Sequence, residues 1–126
     1  MHFDPSKTYV HFTTRGSAEL LPGGDGFWSM PERELDRAAS GWLVTEFECT
    51  SDWSNWEVHP EADEFVYLLS GAVVLLLQEP DGVREVSLSG RAAVVVPRGV
   101  WHTARVTEPS RMFFLTRGSG TQHRAA

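Results

Sequence analysis

The sequence predicts an all-β domain, a sandwich or a barrel, from two observations. From residue 41 onward, short apolar runs follow one another at nearly even intervals. Between them stand turn formers: Ser70-Gly71, Pro80-Asp81-Gly82, Ser89-Gly90, Pro97-Arg98-Gly99 and Glu108-Pro109-Ser110. Many short strands at such spacing point to a sandwich or barrel rather than to βαβ units.

Taken in order, Tyr9 to Thr14 and Ala18 to Leu21 read as short strands, and residues 22–26 as a glycine-rich loop. Ser29-Met30-Pro31-Glu32 fits a capping box with proline in the first turn, so residues 29–39 are expected to form one short helix. A helix of that length must dock on the sheet to persist. Eight strands follow: 41–47, 53–58, 64–70, 72–78, 83–88, 92–96, 101–107 and 112–116. Gln78 and Val83 bracket a hairpin with Asp81-Gly82 at its tip. Residues 117–126 are small and polar and read as a loose tail. The organisation expected is an N-terminal extension over residues 1–40, packed on a single domain at 41–117, with a tail at 118–126.

Composition narrows the function. Among 126 residues, 11 are basic and 17 acidic, a net charge of −6. A nucleic-acid binder usually carries a clustered basic excess, so nucleic acid is not an expected partner. An anionic membrane surface is disfavoured for the same reason. The longest unbroken apolar run, Ala72 to Leu77, is far short of the roughly 20 residues a helical span needs. Met1-His2-Phe3-Asp4-Pro5 has no basic stretch leading into an apolar one, as a signal peptide would. Cys49 is the only cysteine and reads as a small buried hydrophobe, so the cytoplasm is the expected compartment. Residues 72–77 and 92–96 are apolar at both strand parities and need cover on both faces. A homodimer is expected to supply part of that cover.

The chemistry concentrates in two stretches. In Trp56-Glu57-Val58-His59-Pro60, strand alternation puts Glu57 and His59 on one face. Pro60 stops regular pairing, and Glu64 opens the next strand on the face of Val66 and Leu68. In Pro97-Arg98-Gly99-Val100-Trp101-His102, a tight turn feeds a strand on which His102 shares a small apolar face with Ala104 and Val106. Imidazoles and carboxylates can thus meet at one end of the sheet.

These two stretches resemble the paired motifs of the cupins, small single-domain proteins of the RmlC-like superfamily. Glu57, His59, Glu64 and Gly71 fit the spacing of the first motif, with Glu57 where a histidine usually stands. Gly90, Pro97, Gly99 and His102 fit the second, with one extra residue after Gly90 and Val106 in place of an asparagine. The resemblance covers residues 41–117. It implies a double-stranded β-helix, or jelly-roll barrel, holding one divalent metal ion: iron, manganese, zinc or nickel. His59, Glu64 and His102 carry over as ligands, and Glu57 by position alone. Two imidazoles and a carboxylate around open positions make the facial arrangement of non-heme iron oxygen chemistry. Glu57 is either a fourth ligand or a catalytic base in the pocket.

The remaining candidates read as structural. Glu61 and Asp63 are solvated turn residues, and His2, His11 and His123 have no expected role. Trp101 packs on the outer face, Phe65 and Tyr67 belong to a core or an interface, and Phe27, Trp28 and Met30 read as docking residues of the extension, the alternative being a lid over the barrel mouth. No nucleophile motif or phosphate loop is present. The function expected is metal-assisted dioxygenation or isomerisation of a small polar metabolite, or non-catalytic binding of a small molecule.

Overall fold

A computed structural model describes residues 2–126. The chain runs β1 (Thr8–Phe12), β2 (Ala18–Pro22), α1 (Asp25–Trp28), α2 (Glu32–Ala39), β3 (Trp42–Cys49), β4 (Asn55–Val58) and β5 (Glu64–Glu79). It continues through β6 (Gly82–Ser89), β7 (Ala92–Val96), β8 (His102–Thr116) and β9 (Gln122–Ala125). All pairings are antiparallel. The strand path runs β2-β1-β3-β8-β4-β9, with β6, β7 and β8 attached to β5. The fold is a β jelly roll whose sheet does not close into a full barrel. Among the described residues, no helix is long and apolar enough to cross a membrane.

The expected strands at 64–70 and 72–78 are one strand, because Ser70-Gly71 forms a bulge rather than a turn. Glu64, Val66 and Leu68 face inward before it, and Val73, Leu75 and Leu77 face inward after it. The register against β8 shifts between Leu68 and Val73, so the inward alternation of β5 is re-phased without breaking the ladder. Gly71 sits at φ 94°, and a Cβ there would lie 2.3 Å from Ser110 Oγ. The Ser110 hydroxyl in turn accepts from the Ala72 N–H at 3.0 Å. The expected strands at 101–107 and 112–116 likewise fuse into β8, which carries its even-numbered residues inward at both ends.

Val66, Leu68, Val73, Leu75, Leu77, Leu88, Val96, Ala104, Met112 and Phe114 form the main core, with Cys49 among them. A smaller cluster of Tyr9, Phe27 and Ala38 docks the N-terminal extension. Instead of one helix capped by Ser29, two helices form. Ser29 closes α1, its hydroxyl donating to the Asp25 carbonyl at 2.6 Å. Pro31 precedes α2 without a side-chain cap. Proline lacks the N–H that a continuous helix would need there. Buried His11 meets Glu19 at 2.9 Å, and Glu19 meets Arg37 of α2, a tie between the extension's strands and its helix.

The C-terminal segment is not a loose tail. β9 pairs with β4, matching Trp56 with Arg124 and Glu57 with His123. Arg124 places its guanidinium 4.4 Å from the Trp101 ring centroid and 5.6 Å from that of Trp56. These cation–π contacts fasten β9 from the outer face.

Candidate metal centre

Register assembles the site. Glu57 on β4 lies opposite His102 on β8 and opposite His123 on β9. Residues directly opposite in an antiparallel pair share a face, so the three side chains form a cross-strand row. His59 follows β4 on the face of Glu57, and Glu64 opens β5. Two contacts hold the connecting loops in place. Gly99 N–H donates to the His59 carbonyl at 2.9 Å. Arg98 N–H donates to Asp63 Oδ1 at 2.9 Å, so Asp63, exposed as expected, also fastens the two motifs together.

One ligand-type atom from each of Glu57, His59, Glu64 and His102 lies within 4.8 Å of all the others. Glu57 Oε1 is 3.4 Å from His59 Nε2 and 3.3 Å from His102 Nε2. Glu64 Oε2 is 3.3 Å from His59 Nε2, and its Oε1 is 3.2 Å from His102 Nε2. Glu64 is 3% exposed and His102 fully buried. His59 Nε2, His102 Nε2 and Glu64 Oε1 are buried without a hydrogen-bond partner. Buried polar atoms are rarely left so, and here all three converge on one point. This donor set suits a divalent cation.

The outer atoms of the cluster are held. His102 Nδ1 is 3.0 Å from the Val100 carbonyl, which accepts its proton and so turns Nε2 toward the cluster. His59 Nδ1 is 2.7 Å from Thr121 Oγ1, and Thr116 Oγ1 donates to Glu64 Oε2 at 2.5 Å. Such contacts orient ligands and fix tautomers. Thr116, Thr121 and His123 escaped sequence reasoning. His123 Nε2 lies 3.4 Å from Glu57 Oε2. Strand parity would have found it, but Gln122-His123-Arg124-Ala125 offers no apolar alternation to mark a strand.

The charges are strongly coupled without a cation. Burial opposes protonation of His59, but the adjacent Glu57 and Glu64 carboxylates override it and push its pKa up to about 9. His102 goes up to about 10, again against burial, through the same two carboxylates and the Val100 carbonyl. Burial raises the Glu57 and Glu64 carboxyls, yet His102 and His59 hold both below the usual range.

Beside the cluster lies a cavity of about 630 Å³. Phe47, Trp53 and Phe114 form one wall, with the Phe47 and Phe114 rings stacked 4.8 Å apart. Phe27 and Trp28 of α1 reach its mouth, so the extension both docks on the sheet and shapes the entrance. Cys49 also lines it, with burial raising its thiol pKa.

A jelly roll with two histidines and two carboxylates gathered at one end defines the class: a small β-barrel-like domain with a possible metal site. The chain matches the family described as "Cupin domain" over residues 45–116, and it belongs to that family. No curated protein matches it. Among solved structures, it is similar to a cupin-2 domain containing protein from Shewanella frigidimarina. That match has a TM-score of 0.51 and 16% identity, over 59% of this chain and 68% of that one. Hydroxypropylphosphonic acid epoxidase from S. wedmorenis matches at 0.52 and 15%, over 60% of this chain and 43% of that one. Oxalate oxidase matches at 0.54 and 15%, over 64% and 44%. The chain spans less than half of either enzyme, and identities this low speak to the fold alone.

Proposed function

We propose that this chain is a metal-dependent cupin that binds one divalent ion through His59, His102, Glu64 and Glu57 and acts on a small molecule. The observation that carries the reading is the convergence of three buried, unpartnered ligand atoms with Glu57 within 4.8 Å. When bound, the ion supplies a Lewis acid and a template for an oxygen-ligating substrate. The protein's own part is to hold the ligand set rigid through Val100, Thr116 and Thr121, and to exclude water with aromatic walls. Glu57 is the one carboxylate of the four residues that is not fully buried. It stands where it can either complete the ligand set or take a proton from a substrate. Structures of the epoxidase with cobalt(II) and with iron(II) support a redox-capable ion as the first to try. The lone buried cysteine fits a reducing compartment such as the cytoplasm.

The reaction classes this site suits are dioxygenation and isomerisation. Protein loaded with iron(II), or separately with manganese(II), is to be screened against oxygen-chelating compounds. Oxygen uptake marks the first class, and product change without oxygen uptake marks the second. Metal-loaded protein that binds compounds but converts none would instead be a small-molecule-binding module. Protein that takes up no ion would overturn the proposal.

We also propose a homodimer through the outer face of the sheet. Phe65, Val95, Phe12 and Leu20 are exposed there, Val95 by 56%. Phe65 and Val95 are direct cross-strand partners. Contiguous apolar surface of this kind usually marks an interface.

A further inference from the structure

The cavity beside the cluster has aromatic walls and no lysine or arginine among the residues that line it. Four arginines are held by other partners: Arg111 by Glu46 and Glu48, Arg105 by Glu85, Arg37 by Glu19, and Arg124 by two indoles. The acidic side chains at the rim are also placed. Glu48 turns toward Arg111, and Asp52 accepts from the Val106 N–H at 2.8 Å. His123, the one further imidazole on the lining, faces Glu57. One divalent ion against the two carboxylates of the cluster leaves no surplus positive charge.

A carboxylate or phosphate on the far end of a ligand would find no counter-ion on the lining and would face Glu48 and Asp52 instead. Burying such a charge unpaired is strongly unfavourable. A ring, in contrast, meets an apolar wall built from the mutually packed Phe47, Phe114 and Trp53. A cationic end would meet the carboxylates of Glu48 and Asp52 on the lining. The net charge of −6 adds repulsion of anions at long range.

We propose that the cavity selects a ring-bearing ligand, neutral or cationic, whose oxygens face the cluster and whose far end carries no negative charge. The oxygen-facing orientation rests on the metal-centre reading; the charge selection rests on the cavity wall alone.

Catechol, dopamine and 3,4-dihydroxybenzoate share one chelating head and differ in charge at the other end. Each is to be titrated into metal-loaded and metal-free protein, followed by tryptophan fluorescence, since Trp28 and Trp53 line the cavity. Catechol and dopamine are expected to bind within about threefold of each other, and 3,4-dihydroxybenzoate about tenfold or more weakly, in both forms of the protein. Equal or tighter binding of 3,4-dihydroxybenzoate overturns the proposal. Trp28→Lys puts a cation at the mouth, at a position 69% exposed and thus tolerant of change. It is expected to narrow the gap, and an unchanged gap would also overturn the proposal. Failure to take up metal, with the charge order intact in metal-free protein, counts against the metal centre and not against the charge selection.

Discussion

His59 and His102 each have one ring nitrogen bonded outward and one left bare inside the cluster. His59→Ala and His102→Ala are each expected to abolish stoichiometric metal and with it the rise in melting temperature on adding the ion, since a ligand that binds only the folded state stabilises it. Glu57 separates two roles. If it is a ligand, Glu57→Gln weakens metal affinity, while Glu57→His keeps the ion and shifts its preference toward softer metals. If it is a base, Glu57→Gln leaves metal content unchanged and removes proton-dependent turnover. The coupled charges also set a pH dependence. The imidazole pKa values lie above their unfolded values, so their stabilisation of metal-free protein is complete below about pH 6.5 and is lost as pH rises through about 9 to 10. The carboxyl values are lowered, so their contribution is present above about pH 4.5 and is lost on acidification through the depressed values. Urea midpoints of metal-free protein should therefore fall on the alkaline side while those of metal-loaded protein do not. Metal uptake at pH 7 should release about two protons, measurable by calorimetry in buffers of different ionisation enthalpy. No proton release would contradict the protonated imidazoles.

At the scale of elements, β9 is the part that carries site function without belonging to either motif. Arg124 clamps it from outside, Thr121 just before it holds His59, and His123 within it reaches Glu57. Thr121→Val is expected to lower metal affinity about 10- to 100-fold with little effect on folding, the usual cost of losing an outer contact to a ligating histidine. Arg124→Ala, remote from the cluster, should weaken metal binding in the same direction by loosening β9. Unchanged affinity in both variants would make β9 a passive edge. Gly71→Ala should cost about 2 kcal/mol or more in a urea melt, through the positive φ and the clash with Ser110. The four clustered residues were legible in the sequence because strand parity brings imidazoles and carboxylates to one end of the sheet and the cupin-like spacing of the two stretches picks out these four. β9 was not, because Gln122-His123-Arg124-Ala125 becomes a strand only through its pairing with β4 and the indole stack. The continuity of β5 was hidden because Ser70-Gly71 has the composition of a turn, and only packing against Ser110 makes it a bulge. The separate α1 was hidden because its start depends on Gly24 at φ 57° and its end on a hydroxyl contact within the turn.

At the scale of the molecule, a sheet that does not close leaves one face to pack the core and cavity and the other partly bare. Val74 and Leu76 are half-buried within the monomer, whereas Phe65 and Val95 stay exposed, so the need for cover lies more on β7 and the start of β5 than on residues 72–77. Light scattering should give twice the 14.1 kDa of one chain, with about 1,600 Å² buried in total. Val95→Lys should shift the mass to the monomer while metal content stays the same; a monomeric wild type at micromolar concentration would contradict the dimer. The jelly roll, the aromatic cavity and the buried cluster meet in one claim: His59, His102, Glu64 and Glu57 hold a metal ion. The direct measurement is elemental analysis of protein purified without a histidine tag, followed by titration of chelator-stripped protein with iron(II), manganese(II), zinc(II) and nickel(II). The account predicts one divalent ion per chain, lost in His59→Ala and in His102→Ala. No ion in the purified protein, and none taken up on titration, would contradict it.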